Sequence, residues 1–290
     1  MKTEKRQESP GHPSPAEQGS YVAVVGSPPR PLPVLRSEGA TTAPVKIATY
    51  NVHRWTGARG GKAFDPSLAA DVLAELDADV IALQEVLRPF ENSDPLTEIA
   101  ASMGYYCAFA AARTHKRGEL GNAVLSRWPL TSVLAIDLTF GRLERRGALA
   151  VQARCPSGQL SVVATHLALV DRTRRRQVRA LLDHPRFDGP VLLAGDMNAW
   201  RRCAATRDLN DELHHNTDWI PTFPAMRPVL ALDRIYARDA EIIHLETHQS
   251  PASRRGSDHL PLVAHVALQA GTREGYGSGQ SERDSLVTRR

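Results

Sequence analysis

Pro190 to Trp200 reads P-V-L-L-A-G-D-M-N-A-W. Val191 to Ala194 is an apolar run with no polar break, the pattern of a strand buried on both faces. Gly195 ends the run, and Asp196 and Asn198 follow two residues apart. In extended backbone, residues i and i+2 point the same way. A carboxylate and a carboxamide then face one cleft at the end of a buried strand. Alone, the stretch also fits an Asx turn closing a strand. The rest of the chain repeats the arrangement with other polar residues, which favours a cleft.

Upstream, Val45, Ile47 and Thr49 alternate with their neighbours in a strand that ends at Asn51-Val52-His53. Asp65-Pro66-Ser67 is a helix start, and Leu68, Val72, Leu73 and Leu76 follow at helical spacing. Val80 to Leu83 is a second buried strand, ending at Gln84-Glu85, and a short helix covers Leu96 to Ser102. Tyr105 to Ala110 reads as a strand, Thr114 to Gly121 as a polar loop, and Asn122 to Ser126 as a strand. Further strands are expected at Val133–Leu138, Ala148–Ala153 and Leu160–Thr165, the last ending at His166. A helix covers Arg172 to Leu182. After the Pro190 strand, Leu230 to Tyr236 is a strand that contains Asp233. Ser257-Asp258-His259 leads into a final strand. Many strands with a few helices predict two packed sheets with helices outside.

The chain has 290 residues and a formal net charge of +4, too small to identify nucleic acid as a partner. Residues 1–43, rich in Pro, Ser, Gly and Glu, are expected to be disordered, and 270–290 to form a second flexible tail. That leaves 44–269 as the folded domain. Cys107, Cys155 and Cys203 are an odd, scattered set without metal spacing, which points to reduced thiols. No apolar stretch near the N-terminus is long enough for a signal peptide or membrane span. The expected location is cytoplasmic.

Polar residues stand where apolar strands stop: Asn51, Glu85, His166, Asp196 with Asn198, and Asp258 with His259. Each alone reads as a cap, a core histidine or an ion pair. Together they fit metal-assisted attack on a phosphate ester. Oxygen donors such as Glu85 suit Mg²⁺ or Mn²⁺, and the histidines lack zinc spacing. A phosphodiester is anionic and repels hydroxide. A site must therefore neutralise charge, supply a carboxylate base and hold fixed donors on the developing charge.

T-Y-N-V-H, A-L-Q-E-V, G-N-A-V-L-S-R, A-T-H-L, G-D-M-N-A, L-D-R-I-Y and S-D-H-L-P-L resemble, in order, the motifs of the endonuclease/exonuclease/phosphatase superfamily over about residues 45–268. That superfamily includes DNase I-like nucleases, abasic-site endonucleases, bacterial sphingomyelinases and inositol-polyphosphate phosphatases. The resemblance implies a DNase I-like four-layer α/β/β/α sandwich with its site at one rim of the sheets. It implies Glu85 as the main Mg²⁺ ligand, with Asn51 and Asp258 close to the metal. Asp196 would deprotonate water, Asn198 hold the phosphate and His166 contact it. His259, oriented by Asp233, would stabilise the transition state, and Asn122 and Arg146 would touch substrate.

Departures narrow the substrate. His53 replaces an acidic residue or Asn, which bears on a second metal position. A-L-D-R replaces W-C-D-R, and Trp200 stands where an arginine is expected, which disfavours inositol polyphosphates. The R-R-G-A-L stretch and the arginine-rich helix resemble small bacterial members, which are similar to GPI-anchor lipid-remodelling domains. Arg172, Arg174, Arg175, Arg176 and Arg179 read first as a solvated helix face, and second as a phosphate-backbone or anionic-lipid contact. The expected activity is a Mg²⁺-dependent phosphodiesterase on nucleic acid or a phospholipid head group, with peripheral membrane contact open and no obligate protein partner evident. The alternative is a non-catalytic phosphate- or nucleic-acid-binding module on the same sandwich.

Overall fold

Leu192 and Ala194 face one side of their strand while Val191 and Leu193 face the other, and all four are buried. A strand can bury both faces only between two further layers. The computed structural model shows those layers over the residues it describes: 23–26, 43–60, 63–91, 93–140, 145–184, 190–213 and 219–268.

One sheet runs, in spatial order, β1 (Ala23–Gly26), β4 (Tyr106–His115), β5 (Gly118–Ser126), β3 (Val80–Pro89), β2 (Val45–Asn51), β12 (Leu262–Leu268) and β11 (Ala240–Thr247). The other runs β10 (Asp233–Arg238), β9 (Val191–Asp196), β8 (Gly158–His166), β7 (Gly147–Cys155) and β6 (Leu130–Asp137). β2 pairs parallel with β3, and β8 with β9; the other pairs are antiparallel. Ile47, Val80, Ala82 and Val124 pack between the sheets against Leu149, Val162, Leu192 and Ile235. Helices α1 (Pro66–Leu76) and α2 (Pro95–Met103) cover the outer face of the first sheet through Val72, Leu73, Leu76 and Ile99. Helices α3 (Asp171–Leu182) and α4 (Ala204–Leu213) cover the second through Val178, Leu181, Leu209 and Leu213. A four-residue helix, α5 (Ser253–Gly256), precedes β12. The result is the expected four-layer α/β/β/α sandwich.

Local chemistry sets several boundaries. The Asp65 carboxylate accepts from the Ser67 N–H at 3.1 Å with Pro66 at the first turn, a cap worth about 1 kcal/mol. Asp94 caps α2 the same way, and Gly104 ends it in the left-handed region. Gly195 has φ 154°, and a Cβ there would stand 1.9 Å from the Thr165 carbonyl oxygen. Only glycine lets β9 lie that close to β8 just before Asp196.

Four readings change. Thr114 to Gly121 is not a loop: β4 and β5 continue as a hairpin to His115↔Gly118, because ladder hydrogen bonds tolerate polar side chains at a sheet end. β3 does not end at Gln84-Glu85. Its pairing with β5 shifts between Leu83 and Val86 and resumes to Pro89, with Glu85 at φ 51° in the bulge. Within 1–43, expected to be disordered, Ala23–Gly26 pairs with Cys107–Ala110 as β1; residues 1–22 and 27–42 of that segment, and 270–290, lie outside the described residues. Arg174 is buried and is not part of a solvated face, whereas Arg172, Arg175, Arg176 and Arg179 are exposed. No helix among the described residues is long and apolar enough to cross a membrane.

Candidate active site

The C-terminal ends of β2, β8 and β9 and the bulge of β3 lie at one rim of the sandwich. Asn51 and Asp196, 145 residues apart, touch there: the Asn51 amide donates to Asp196 Oδ2 at 3.2 Å. His166 Nε2 lies 3.3 Å from the same oxygen, and His259 Nε2 lies 3.8 Å from it. The other oxygen, Oδ1, accepts the Asn198 backbone N–H at 2.9 Å. Asp196 is thus ringed by donors through both oxygens. His259 turns its Nδ1 to Asp233 Oδ2 at 2.8 Å, and the Thr222 hydroxyl donates to that oxygen at 2.6 Å. The Phe223 ring packs on His259 with centroids 5.0 Å apart, fixing the imidazole plane.

Burial sets the charges. It pushes the Asp196 carboxyl up to about 7, assisted by Asp233 and opposed by His259. Burial alone would lower His259, but the Asp233 and Asp196 carboxylates outweigh it and raise the imidazole to about 10. Burial, with Arg146 and His259 nearby, holds His166 well below the usual histidine range, so it is neutral. An imidazolium therefore sits between two carboxylates with a neutral imidazole opposite.

A second group is wetter. Glu85, turned out of β3 by its left-handed backbone, meets the Arg54 guanidinium at 3.3 Å. Such strain in a bulky residue costs about 1–3 kcal/mol and concentrates at functional sites; Asn198, at φ 50°, carries it too. Asp258 Oδ1 lies 3.3 Å from both the Ser257 hydroxyl oxygen and His53 Nδ1. Ser257 donates to the Asn51 carbonyl at 2.5 Å, tying this loop to β2. Glu85, Asn122, Arg146 and His166 line one cleft beside Asp196.

All ten expected site residues therefore fall in one connected region. Two have duties beyond those expected. The Asn198 amide donates to the Leu167 carbonyl at 2.9 Å, leaving one of its two N–H groups for a ligand. The Asn122 amide donates to the Gly147 carbonyl at 2.8 Å, so it also holds the Arg146-Gly147 segment in place. Sequence reasoning missed Thr222 and Phe223, which orient Asp233 and His259. It also missed Arg174, whose guanidinium donates to the carbonyls of Ala168, Leu169 and Asn198 at 3.0, 3.1 and 2.6 Å. Only burial distinguishes Arg174 from the other arginines of α3, and sequence does not show burial. Arg54, against Glu85, was missed too.

The donor chemistry fits a hard divalent cation at the wetter group. Glu85 and Asp258 are carboxylates that reach solvent, and the Asn51 amide oxygen accepts the backbone N–H of His53, whose ring lies beside Asp258. Asp196, Asp233 and His259 also bring one atom each within 4.8 Å of one another. There His259 Nδ1 is already committed to Asp233, which makes that trio an ion-pair relay and not a coordination site.

Residues 48–259 match the sequence model of the Endonuclease/Exonuclease/phosphatase family. The chain is 31% identical over 245 residues to the uncharacterized protein YbhP of Escherichia coli K12, covering 77% of this chain and 96% of that one. A solved endonuclease/exonuclease/phosphatase structure from Beutenbergia cavernae superposes with a TM-score of 0.67 at 25% identity, covering 78% of this chain and 72% of the other. The human Nocturnin catalytic domain, solved with a bound sulfate anion, gives 0.64 at 21% identity over 77% and 94% of the two chains.

Proposed function

The chain belongs to the endonuclease/exonuclease/phosphatase family, whose members are generally hydrolases, and from that premise we propose that it is a Mg²⁺-dependent phosphodiesterase. The observation that supports this most is the ring of donors around Asp196: a buried carboxylate raised to about 7, between a cationic His259 and a neutral His166.

Asp196, ionised, accepts the proton of the attacking water, and the water oxygen adds to phosphorus opposite the departing ester oxygen. A base near the working pH is worth about 10²–10⁴-fold. His259, kept cationic by Asp233, faces the negative charge that grows on the phosphoryl oxygens. Fixed donors in a dry site usually make the larger contribution. His166 Nε2 and the remaining Asn198 N–H hold the phosphate, and Arg146 and Asn122 flank it. Glu85, Asp258 and Asn51 would hold the cation, which when bound neutralises charge on the phosphoryl oxygens.

The test is hydrolysis of a soluble aryl phosphodiester, with Mg²⁺, Mn²⁺ or EDTA, by the full chain and by Asp196→Asn. Turnover that needs the cation and disappears in the variant is expected. Turnover unchanged in Asp196→Asn would discard the assigned base.

A further inference from the structure

The large apolar side chains exposed among the described residues are not scattered. Leu169 and Val170 follow β8, and Trp200 follows β9. Met226 and Val229 lie in the loop before β10, and Phe64 and Phe90 lie beyond the ends of β2 and β3. All seven stand at the end of the sandwich that carries the site. Ile243, on the edge strand β11, is the exception. One exposed leucine needs no explanation, but a group around one cleft marks an interaction surface.

These loops are fastened to the site. The Arg174 guanidinium binds carbonyls of both Ala168-Leu169 and Asn198, so the Leu169-Val170 and Trp200 loops are held against each other. The loop carrying Met226 is tied to Asp258, whose carbonyl accepts the Ala225 N–H at 2.7 Å.

Charge lies beside the apolar residues. Arg172, Arg175, Arg176 and Arg179 line a groove against the start of α4, and Arg201 and Arg202 are exposed next to Trp200. Two aspartates oppose them: Asp208 pairs with Arg175 and Arg179, and Asp171 with Arg174. The patch stays positive.

We propose that this end of the molecule docks on an anionic phospholipid surface, with Leu169, Val170 and Trp200 entering the boundary between head groups and acyl chains. Arg172, Arg176, Arg201 and Arg202 meet the lipid phosphates, and the phosphodiester presented to Asp196 belongs to a lipid. The proposal rests on the phosphodiesterase reading above and supplies its substrate class. Aliphatic side chains beside arginines favour a bilayer. A nucleic-acid surface would instead present several aromatic faces beside its cations; Phe64 and Phe90 lie on the loops of the other sheet, and next to these arginines Trp200 is accompanied by the aliphatic Leu169 and Val170.

The experiment is co-sedimentation of the full chain with phosphatidylcholine vesicles, with and without phosphatidylglycerol. Soluble aryl phosphodiester hydrolysis is followed in parallel. Binding that needs the anionic lipid and weakens with salt is expected. Arg172→Ser with Arg176→Ser should reduce partitioning roughly thirtyfold, from about 1 kcal/mol for each arginine at the surface. Leu169→Asp with Trp200→Ser, with folding checked by circular dichroism, should release the chain from the vesicles. Aryl ester turnover without vesicle binding would overturn the docking surface and leave the hydrolase reading standing. Vesicle binding without turnover would support the surface and overturn the hydrolase. Retention by DNA but not by vesicles would overturn the lipid assignment.

Discussion

The two halves of the site differ in water. The side chains of Asp233, Asp196, His166 and His259 are 0%, 3%, 7% and 7% exposed, whereas Glu85 and Asp258 are 23% and 28% exposed. In the dry half, charges interact strongly and shift one another's protonation. In the wetter half, the two carboxylates reach solvent beside Arg54 and His53. On the proposed reading, proton handling and charge neutralisation are thus separated by their access to solvent.

Four changes probe that division, taken from the largest expected effect down. Asp196→Asn removes the proton acceptor but keeps the shape and should lower kcat by about 10²–10⁴-fold with the melting temperature preserved. Glu85→Gln acts on the wetter half, so its effect should appear in the Mg²⁺ titration. The concentration for half-maximal rate should rise at least roughly tenfold, since even residues supporting a metal ligand cost about 10–100-fold. A titration that does not move would place the cation elsewhere.

The pH profile probes the dry half. The rate should rise as Asp196 loses its proton near pH 7 and fall as His259 loses its own near pH 10. Removing the Asp233 charge removes a group that keeps His259 protonated. Asp233→Asn should therefore move the alkaline limb down by about one to three pH units, and move the acid limb down as well, because the Asp233 charge also helps raise Asp196. An alkaline limb that stayed fixed would separate it from His259.

The smallest expected effect on chemistry is that of Arg174→Met. It leaves the carbonyls of Ala168, Leu169 and Asn198 without their donor, a loss of about 1–3 kcal/mol in urea unfolding. The rate should change less than in Asp196→Asn, because Arg174 positions loops and touches no reacting atom.

Much of this was legible along the chain because polar residues interrupt apolar strands abruptly. Asn51, His166 and Asp196 each end a strand whose last several residues are buried, and a buried strand end is a costly place for an unsatisfied polar group. Glu85 was legible as a residue but not as a conformation. Its bulge depends on how β3 realigns with β5, which is a matter of pairing partners. The β4–β5 hairpin was hidden by polar composition. β11 was missed because an edge strand buries too little to leave a clear pattern, whereas α4 was missed although Ala205, Leu209 and Leu213 recur every four residues. Arg174 was hidden among exposed arginines because only its burial sets it apart.

The sequence by itself determined the layers and the identities of the polar residues, because burial on both faces and helical periodicity are properties of neighbours along the chain. Only the tertiary structure decided that Asn51, His166, Asp196, Asp233 and His259 share one dry contact, and that Glu85 and Asp258 stay closer to water. Protonation and solvation depend on distances between residues far apart in the chain, and such distances exist only once the two sheets have packed.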